Sequence, residues 1–353
     1  MPQPPVSHPR TSAAQRKAAR DFLLHEKARI LVTGAGGFIG SALIHELNQR
    51  GLTQIIATDF LAEDEKWRNL LPLEFDDYIP ADEFLTGVQS DPERYGKFSA
   101  VFHLGACSST TETDATYVMR NNFSYTKALG RWALFSGARF VYASSAATYG
   151  DGSRGMDDKS DDLKRLRPLN LYGYSKHLFD IYAAREDILS EIVGIKYFNV
   201  FGPNEYHKGD MRSLVCKAYD QIQTTGQIQL FKSYRSDYAD GCQMRDFVYV
   251  KDAVDMTLHL AENEDAGGLY NVGSGIARTW VDLANALFSA LGKEPKIEFI
   301  EMPEALRHQY QYHTCADTAK LSATGYTKPS TSLEEAVCDY AQNYLLPHKR
   351  LGE

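Results

Sequence analysis

Arg29-Ile30-Leu31-Val32-Thr33-Gly34-Ala35-Gly36-Gly37-Phe38-Ile39-Gly40 is the stretch whose reading decides the fold. Residues 29–33 are a short apolar run, the pattern of a buried strand. Three glycines follow at three-residue spacing, Gly34, Gly37 and Gly40, and residues 41–50 then carry a helical pattern that stops at Gly51. A glycine-rich turn from strand into helix lets backbone N–H groups approach a pyrophosphate at the helix N-terminus. The spacing differs slightly from the usual dinucleotide fingerprint, but the mechanics are the same. Residues 54–58 read as the next strand and end in Asp59, about 20 residues past the turn, where an acid suits an adenosine ribose hydroxyl. Strand, turn, helix, strand and acid together argue against a tight turn with no ligand. Lys66 and Arg68 follow closely and could reach a 2′-phosphate, as basic residues near that position do when NADP is bound. NADP is the cofactor expected, with NAD as the alternative that Asp59 favours.

The 353 residues are 43% hydrophobic and 24% charged, an ordinary soluble globular composition with ample core. A net charge of −8 argues against a nucleic-acid or basic membrane-surface partner. No apolar run approaches the roughly 18 residues of a membrane span. The five cysteines (Cys107, Cys216, Cys242, Cys315, Cys338) are scattered without a Cys-x-x-Cys, which points to reduced thiols in a cytoplasmic protein and to no metal site. Residues 1–28 are an extension, proline-rich and then Ala/Lys/Arg-rich. It lacks the apolar core of a secretory signal and reads as a short helix over 13–27 or a loose tail.

Further along, residues 99–104 form a strand that runs into the small-residue loop Gly105-Ala106-Cys107-Ser108, at the kind of strand end where α/β sheets bind ligands. Asn121-Asn122 sits early in a helix over 117–135 whose amide groups could face the cofactor, and Asn121 is the contact expected. The strand 139–143 ends in Ser144-Ser145-Ala146-Ala147-Thr148-Tyr149-Gly150, and a charged loop spans 151–167. Tyr172 and Lys176 then stand four residues apart, on one face of a helix. A lysine ammonium brings a tyrosine pKa down toward the range of a useful base. A serine hydroxyl, Ser145 rather than Ser144, orients the same substrate oxygen. Beside a nicotinamide, such a set oxidises a carbinol and reduces it back. If the ketone turns its other face before reduction, the stereocentre inverts, and a second proton donor is needed across the site. Lys208, with His207 beside it, is the candidate.

The remaining pattern is a helix over 210–225, a strand over 227–231, a polar loop over 232–244 and a strand over 247–250. A helix over 254–261, a strand over 269–272, a helix over 280–291 capped by Thr279, a strand over 297–300 and a helix over 333–344 follow. Arg245 suits a diphosphate, because a guanidinium binds phosphate oxygens two at a time. No repeat of 20–50 residues is present. The alternation gives an α/β, Rossmann-like doubly wound parallel sheet with a smaller α/β substrate-binding domain. Residues 29–197, completed by 245–270 and 314–325, make the dinucleotide-binding part. Residues 198–244, 271–313 and 326–353 make the substrate part.

The glycine turn, Ser145-Ala-Ala-Thr-Tyr-Gly, Tyr172-x-x-x-Lys176 and Ile195-Lys196-Tyr197-Phe198-Asn199-Val200-Phe201-Gly202-Pro203-Asn204 resemble the extended short-chain dehydrogenase/reductases of the nucleotide-sugar branch. Phe102-His103-Leu104-Gly105-Ala106-Cys107-Ser108-Ser109-Thr110-Thr111-Glu112, Glu205-Tyr206-His207-Lys208-Gly209 and Arg245-Asp246-Phe247-Val248-Tyr249-Val250 resemble the ADP-L-glycero-D-manno-heptose 6-epimerase family in particular. The resemblance implies inversion at C6 of an ADP-heptose, a precursor step for lipopolysaccharide, with Tyr172 and Lys208 at the two acid/base positions and Lys176 holding the nicotinamide ribose. It implies cofactor contacts from Gly34, Gly37, Phe38, Ile39, Gly40, Asp59, Phe60, Lys66, Leu104, Gly105, Ala106, Cys107, Ser108, Asn121, Val200 and Lys208. Substrate contacts fall on Ser145, Asn199, Asp210, Lys217, Phe231, Lys232, Ser233, Tyr234, Arg245 and Tyr310. A homo-oligomer, a pentamer, is implied as well. Phe60 stands where members often carry a polar side chain, and Ala81 where a second basic cofactor contact is often found. The loop over 235–244 is longer than in the shortest members. The rivals are another nucleotide-sugar epimerase, a 4,6-dehydratase (for which Ala146-Ala147-Thr148 offers no acid), and a dinucleotide-binding protein without turnover.

Overall fold

A seven-stranded sheet organises the chain. The structure, a computed structural model, describes residues 24–307 and 310–353, so most of the expected helix over 13–27 lies outside the described residues. The first half runs β1 (Ile30–Thr33), α1 (Phe38–Gln49), β2 (Ile55–Asp59), β3 (Asp77–Pro80), α2 (Ala81–Ser90), β4 (Ala100–His103), α3 (Tyr125–Ser136), β5 (Arg139–Ala143), α4 (Leu171–Arg185) and β6 (Val193–Tyr197). The second half runs β7 (Asn199–Phe201), α5 (Leu214–Thr225), β8 (Ile228–Phe231), β9 (Met244–Tyr249), α6 (Val250–Glu262), β10 (Gly268–Val272), β11 (Ala277–Thr279), α7 (Trp280–Ala290), β12 (Ile297–Ile300) and α8 (Leu333–Tyr340).

The main sheet has the order β10-β6-β5-β4-β1-β2-β3, and every pair in it is parallel. This is the doubly wound, Rossmann-like arrangement. Strand order reverses between β1 and β4, which opens a crevice at their carboxyl ends. Successive residues of β1 serve opposite faces: Ile30 and Val32 enter one core and Leu31 the other. A strand buried on both faces needs a continuous apolar run rather than an alternating one. The smaller part is built from β11-β9-β7 and the parallel pair β12-β8. The expected division at 270 falls inside β10, which runs to Val272 and closes the main sheet.

Three expectations are revised. Residues 210–225 do not make one helix: a 3₁₀ turn, Tyr206–Met211, comes first, and Ser213 caps α5 by accepting from the Cys216 N–H at 3.3 Å. The helix expected over 117–135 contains a π-helical turn, Met119–Ser124, ahead of α3. The polar stretch 151–167 holds a 3₁₀ turn, Ser160–Arg165. β3 and α2 escaped the reading because Asp77–Pro80 is mostly exposed and carries a proline.

The glycine turn depends on Gly40. A Cβ there would lie 2.0 Å from the Gly34 carbonyl oxygen. Gly40→Ala is therefore expected to force the turn open at a cost of about 1–3 kcal/mol, the usual range for overpacking. A lowered urea midpoint together with weakened dinucleotide binding would be the signature.

Candidate active site

The crevice at the β1/β4 switch is a cleft of about 920 Å³. Gly34 begins its floor with φ +69°, and a Cβ there would come within 2.6 Å of the Gly105 nitrogen, so the two loops meet backbone to backbone. Gly37 is the N-cap of α1 and offers no capping side chain, which leaves the first N–H groups of that helix facing the cleft. Asp59 accepts from the Gly36 N–H at 2.9 Å and pairs with the Lys66 ammonium at 3.0 Å. Gly34, Gly37, Phe38, Ile39, Gly40, Asp59 and Lys66 all line the cleft. Phe60 does not; its ring is 46% exposed.

Two asparagines that the sequence reading missed hold this floor in place. The Asn69 amide donates to the Gly36 carbonyl at 3.0 Å and to the Asn204 carbonyl at 2.9 Å. Asn204 donates to Ser41 Oγ at 2.9 Å and accepts from the Leu351 N–H at 3.0 Å, while Arg350 Nε donates to Asn69 Oδ1 at 3.2 Å. Asn204 sits at φ +79°, a conformation asparagine tolerates better than most residues.

Leu104, Gly105, Ala106 and Ser108 line the adjoining wall. Cys107 is half-buried, and its backbone is held in both directions by the Asn122 side chain, at 2.8 and 2.9 Å. Asn121, expected toward the cofactor, instead bonds the Tyr117 carbonyl at 2.9 Å and is not part of the lining. The π turn shifts the helical phase by one residue and turns Asn122 inward in its place.

The proton-transfer candidates meet where β5 ends. Ser144 and Ser145 both line the cleft with Tyr172 and Lys176, but the Ser144 hydroxyl is committed to Asp180, to which it donates at 2.8 Å. Asn170 caps α4 by accepting from the Gly173 N–H at 2.8 Å, which fixes the start of the helix carrying both residues. Lys176 Nζ donates to the Ala143 carbonyl at 2.8 Å. Burial pushes its pKa down to about 8, while Asp180 and Cys107 pull it back up. The expected lowering of the Tyr172 phenol is not found. Burial raises its pKa, the Ser145 hydroxyl acts in the opposite direction, and Cys107 adds to the rise. Loss of solvent around the phenol, the largest cause, outweighs the Ser145 hydrogen bond.

Lys208 lines the same cleft, its ammonium 5.3 Å from the centre of the Phe38 ring. Burial lowers its pKa and Glu205 raises it. His207 beside it is held neutral, its pKa lowered to about 4 by burial. Asn199, Val200, Lys217, Phe231 and Tyr310 also line the cleft, joined by Trp280, which donates to the Tyr310 hydroxyl at 2.9 Å.

Asp210, Lys232, Ser233, Tyr234 and Arg245 fall outside this lining. Lys232 pairs with Glu301 at 2.7 Å and the Tyr234 hydroxyl donates to the same carboxylate, so the loop is folded back onto the end of β12. Ser233 Oγ is turned to the Arg235 carbonyl at 2.9 Å, and Asp210 is exposed, its carbonyl taken by Lys217 Nζ at 3.2 Å. Arg245 is buried behind the wall, its guanidinium 5.0 Å from the Tyr310 ring and 5.5 Å from that of Trp280. Among the described residues no carboxylate pairs with it, and burial lowers its pKa. The neighbouring Asp246 carboxylate is occupied by Ser274, Gly275 and Ala316.

Among the described residues no helix is long and apolar enough to cross a membrane, and no three metal-ligating side chains gather. The cleft gathers Ser145, Tyr172, Lys176 and the Lys208 amine above a glycine-rich strand-to-helix turn. Residues 30–273 match the family model described as NAD dependent epimerase/dehydratase family. An ADP-L-glycero-D-manno-heptose-6-epimerase of Nitratidesulfovibrio vulgaris is 50% identical over 315 residues, covering 89% of this chain and 97% of that one. One from Fusobacterium nucleatum is 45% identical over 325 residues, covering 90% and 98%. The crystal structure of the Helicobacter pylori ADP-L-glycero-D-manno-heptose-6-epimerase superposes with a TM-score of 0.76 at 27% identity, covering 93% of this chain and 98% of that one.

Proposed function

The chain belongs to the NAD dependent epimerase/dehydratase family, among relatives that are ADP-L-glycero-D-manno-heptose-6-epimerases, and from that premise we propose a specific reaction for its cleft. It is an isomerase of the epimerase kind that uses a nicotinamide dinucleotide. The substrate is ADP-D-glycero-D-manno-heptose, and the product is its C6 epimer, ADP-L-glycero-D-manno-heptose.

The floor fits the dinucleotide. A Cβ at Gly34 or Gly40 would fill it, and the uncapped start of α1 suits a pyrophosphate. Gly34, Gly37, Phe38, Ile39 and Gly40 would hold the pyrophosphate side, and Leu104 to Ser108 and Val200 the remainder. NADP is the form proposed, because Lys66 stands at the Asp59 carboxylate and brings a cation to the ribose end. When bound, the nicotinamide accepts the C6 hydride and later returns it.

Tyr172 exchanges the proton of the C6 hydroxyl, with Ser145 bonded to the same oxygen and Lys176 holding the ribose. The O–H proton would pass to the phenolate form of Tyr172, and the C6–H electron pair would go as hydride to the bound nicotinamide, leaving a 6-keto sugar. After the ketone presents its other face, Lys208 serves the oxygen in its new position. Hydride and proton are both returned, so the cycle consumes no reductant. Asn199, Lys217, Phe231 and Tyr310 would contact the sugar nucleotide directly. Arg245 supplies positive charge through the Tyr310/Trp280 wall. Residues 232–234 would reach the substrate only by leaving Glu301. Assembly as a cytoplasmic homo-oligomer, a pentamer, belongs to the same reading.

The observation that carries the reading is that Ser145, Tyr172, Lys176 and Lys208 all line this one cleft. Purified protein incubated with ADP-D-glycero-D-manno-heptose is expected to yield a mixture of C6 epimers, resolved by anion exchange, with no added reductant. Unchanged substrate in the presence of bound dinucleotide would overturn it.

A further inference from the structure

Beneath the Ser145 turn lies a buried ion pair that takes no direct part in the proposed proton transfer. Asp180 is one turn beyond Lys176 on α4, so Tyr172, Lys176 and Asp180 recur every four residues along one helix face. The Asp180 carboxylate is fully enclosed and accepts from the Tyr142 phenol at 2.8 Å, the Ser144 hydroxyl at 2.8 Å and the Lys196 ammonium at 3.0 Å. Lys196, from β6, is equally enclosed. It also donates to Thr148 Oγ1 and lies 4.7 Å from the centre of the Tyr149 ring. Thr148 in turn donates to the Ser145 carbonyl at 2.8 Å. The pair therefore grips the turn on both sides of Ser145, through Ser144 before it and Thr148 after it.

Packing alone does not call for these charges. Burying two ions costs desolvation that apolar residues of similar size avoid, so a buried pair is weak evidence for a stability role. The charge has a neighbour to act on. Lys176 is itself buried, makes its hydrogen bond to a neutral carbonyl, and has no carboxylate in ion-pair contact among the described residues. The groups that face it are Tyr172 and Asp180 from α4, Cys107 from the loop after β4, and His103 from β4, whose pKa burial holds at about 3. Those facing Asp180 are Tyr142, Ser144, Lys196 and, along α4, His177, which burial keeps neutral. Asp180 is thus the one acid in this set placed to keep the Lys176 amine charged.

Resting on the acid/base set of the proposed function, we propose that Asp180, partnered by Lys196, is a positioning residue that fixes the Ser145 turn and holds the Lys176 ammonium in its charged state. Asp180 offsets part of the lowering that burial imposes, so without the carboxylate the Lys176 ammonium loses its proton at lower pH.

The test follows the ionisation of Lys176 directly in the full chain, labelled with ¹³C at lysine Cε and with its resonance assigned by Lys176→Met. The wild-type midpoint is expected at about 8. Asp180→Asn is expected to lower it by about one pH unit, within the range a nearby carboxylate commands, and to move the alkaline limb of turnover down with it. Asp180→Asn leaves Lys196 unpaired, so Asp180→Asn/Lys196→Met, which removes both charges, is measured alongside and is expected to give a smaller downward shift, because the opposing Lys196 charge is removed with the carboxylate. A folded variant whose Lys176 midpoint stays at the wild-type value would overturn the inference. The titration needs no turnover, so an inactive wild type would count against the proposed reaction and leave this result readable.

Discussion

Tyr172→Phe is expected to lower epimerisation by about 10²–10⁴-fold, the range supplied by a positioned acid/base group, while dinucleotide binding stays close to wild type. The ring remains and only the hydroxyl that faces Ser145 is lost. The glycine turn and Lys66 are untouched, so the dinucleotide still finds its floor. Steady-state turnover and dinucleotide fluorescence on the same preparation check both halves. Turnover within a few fold of wild type would remove Tyr172 from the chemistry. Loss of binding along with turnover would make the residue structural. The same variant separates an enzyme from a dinucleotide-binding protein without turnover, which has no use for the hydroxyl.

Lys208→Met is expected to cost a comparable factor, about 10²-fold or more, for a different reason. In the proposed reaction its ammonium is the donor that meets the oxygen after the ketone has turned. Methionine keeps the length and the contact with Phe38 but cannot carry a proton. The fold should survive the change, because Glu205 retains the Ser213 N–H and hydroxyl and the Gly202 N–H as partners. Burial lowers the Lys208 pKa, so its protonated form is complete at low pH and is lost as pH rises through that lowered value. Wild-type turnover should therefore fall on the alkaline side earlier than a free lysine would dictate. A Lys208→Met variant with normal turnover would mean that Lys208 performs neither proton transfer.

Much of this site was legible because its chemistry is local in the chain. The glycine turn, Ser145 and the Tyr172/Lys176 pair are short-range patterns, and the elements bearing them appear where the apolar runs and caps place them. What stayed hidden depends on phase or on distance. One π turn exchanged Asn121 for Asn122, a shift that no composition rule registers. The residue pattern over 210–225 hid the stop that Ser213 imposes as a cap. Asn69 and Asn204 support the cofactor floor through partners up to 281 positions away, which a reading along the chain does not bring together. The rise in the Tyr172 pKa was missed because spacing gives the neighbour but not the burial. Asp180 and Lys196 lie 16 positions apart on different elements, so their enclosed pairing is not visible along the chain.

The most direct measurement is the epimerisation of ADP-D-glycero-D-manno-heptose run to equilibrium in D₂O, with the product examined by ¹H NMR and mass spectrometry. Hydride that leaves C6 and returns from bound dinucleotide never exchanges with solvent, so the expected product carries no deuterium at C6. Deuterium at C6 would show that the position is deprotonated and reprotonated, and would contradict hydride transfer in this cleft.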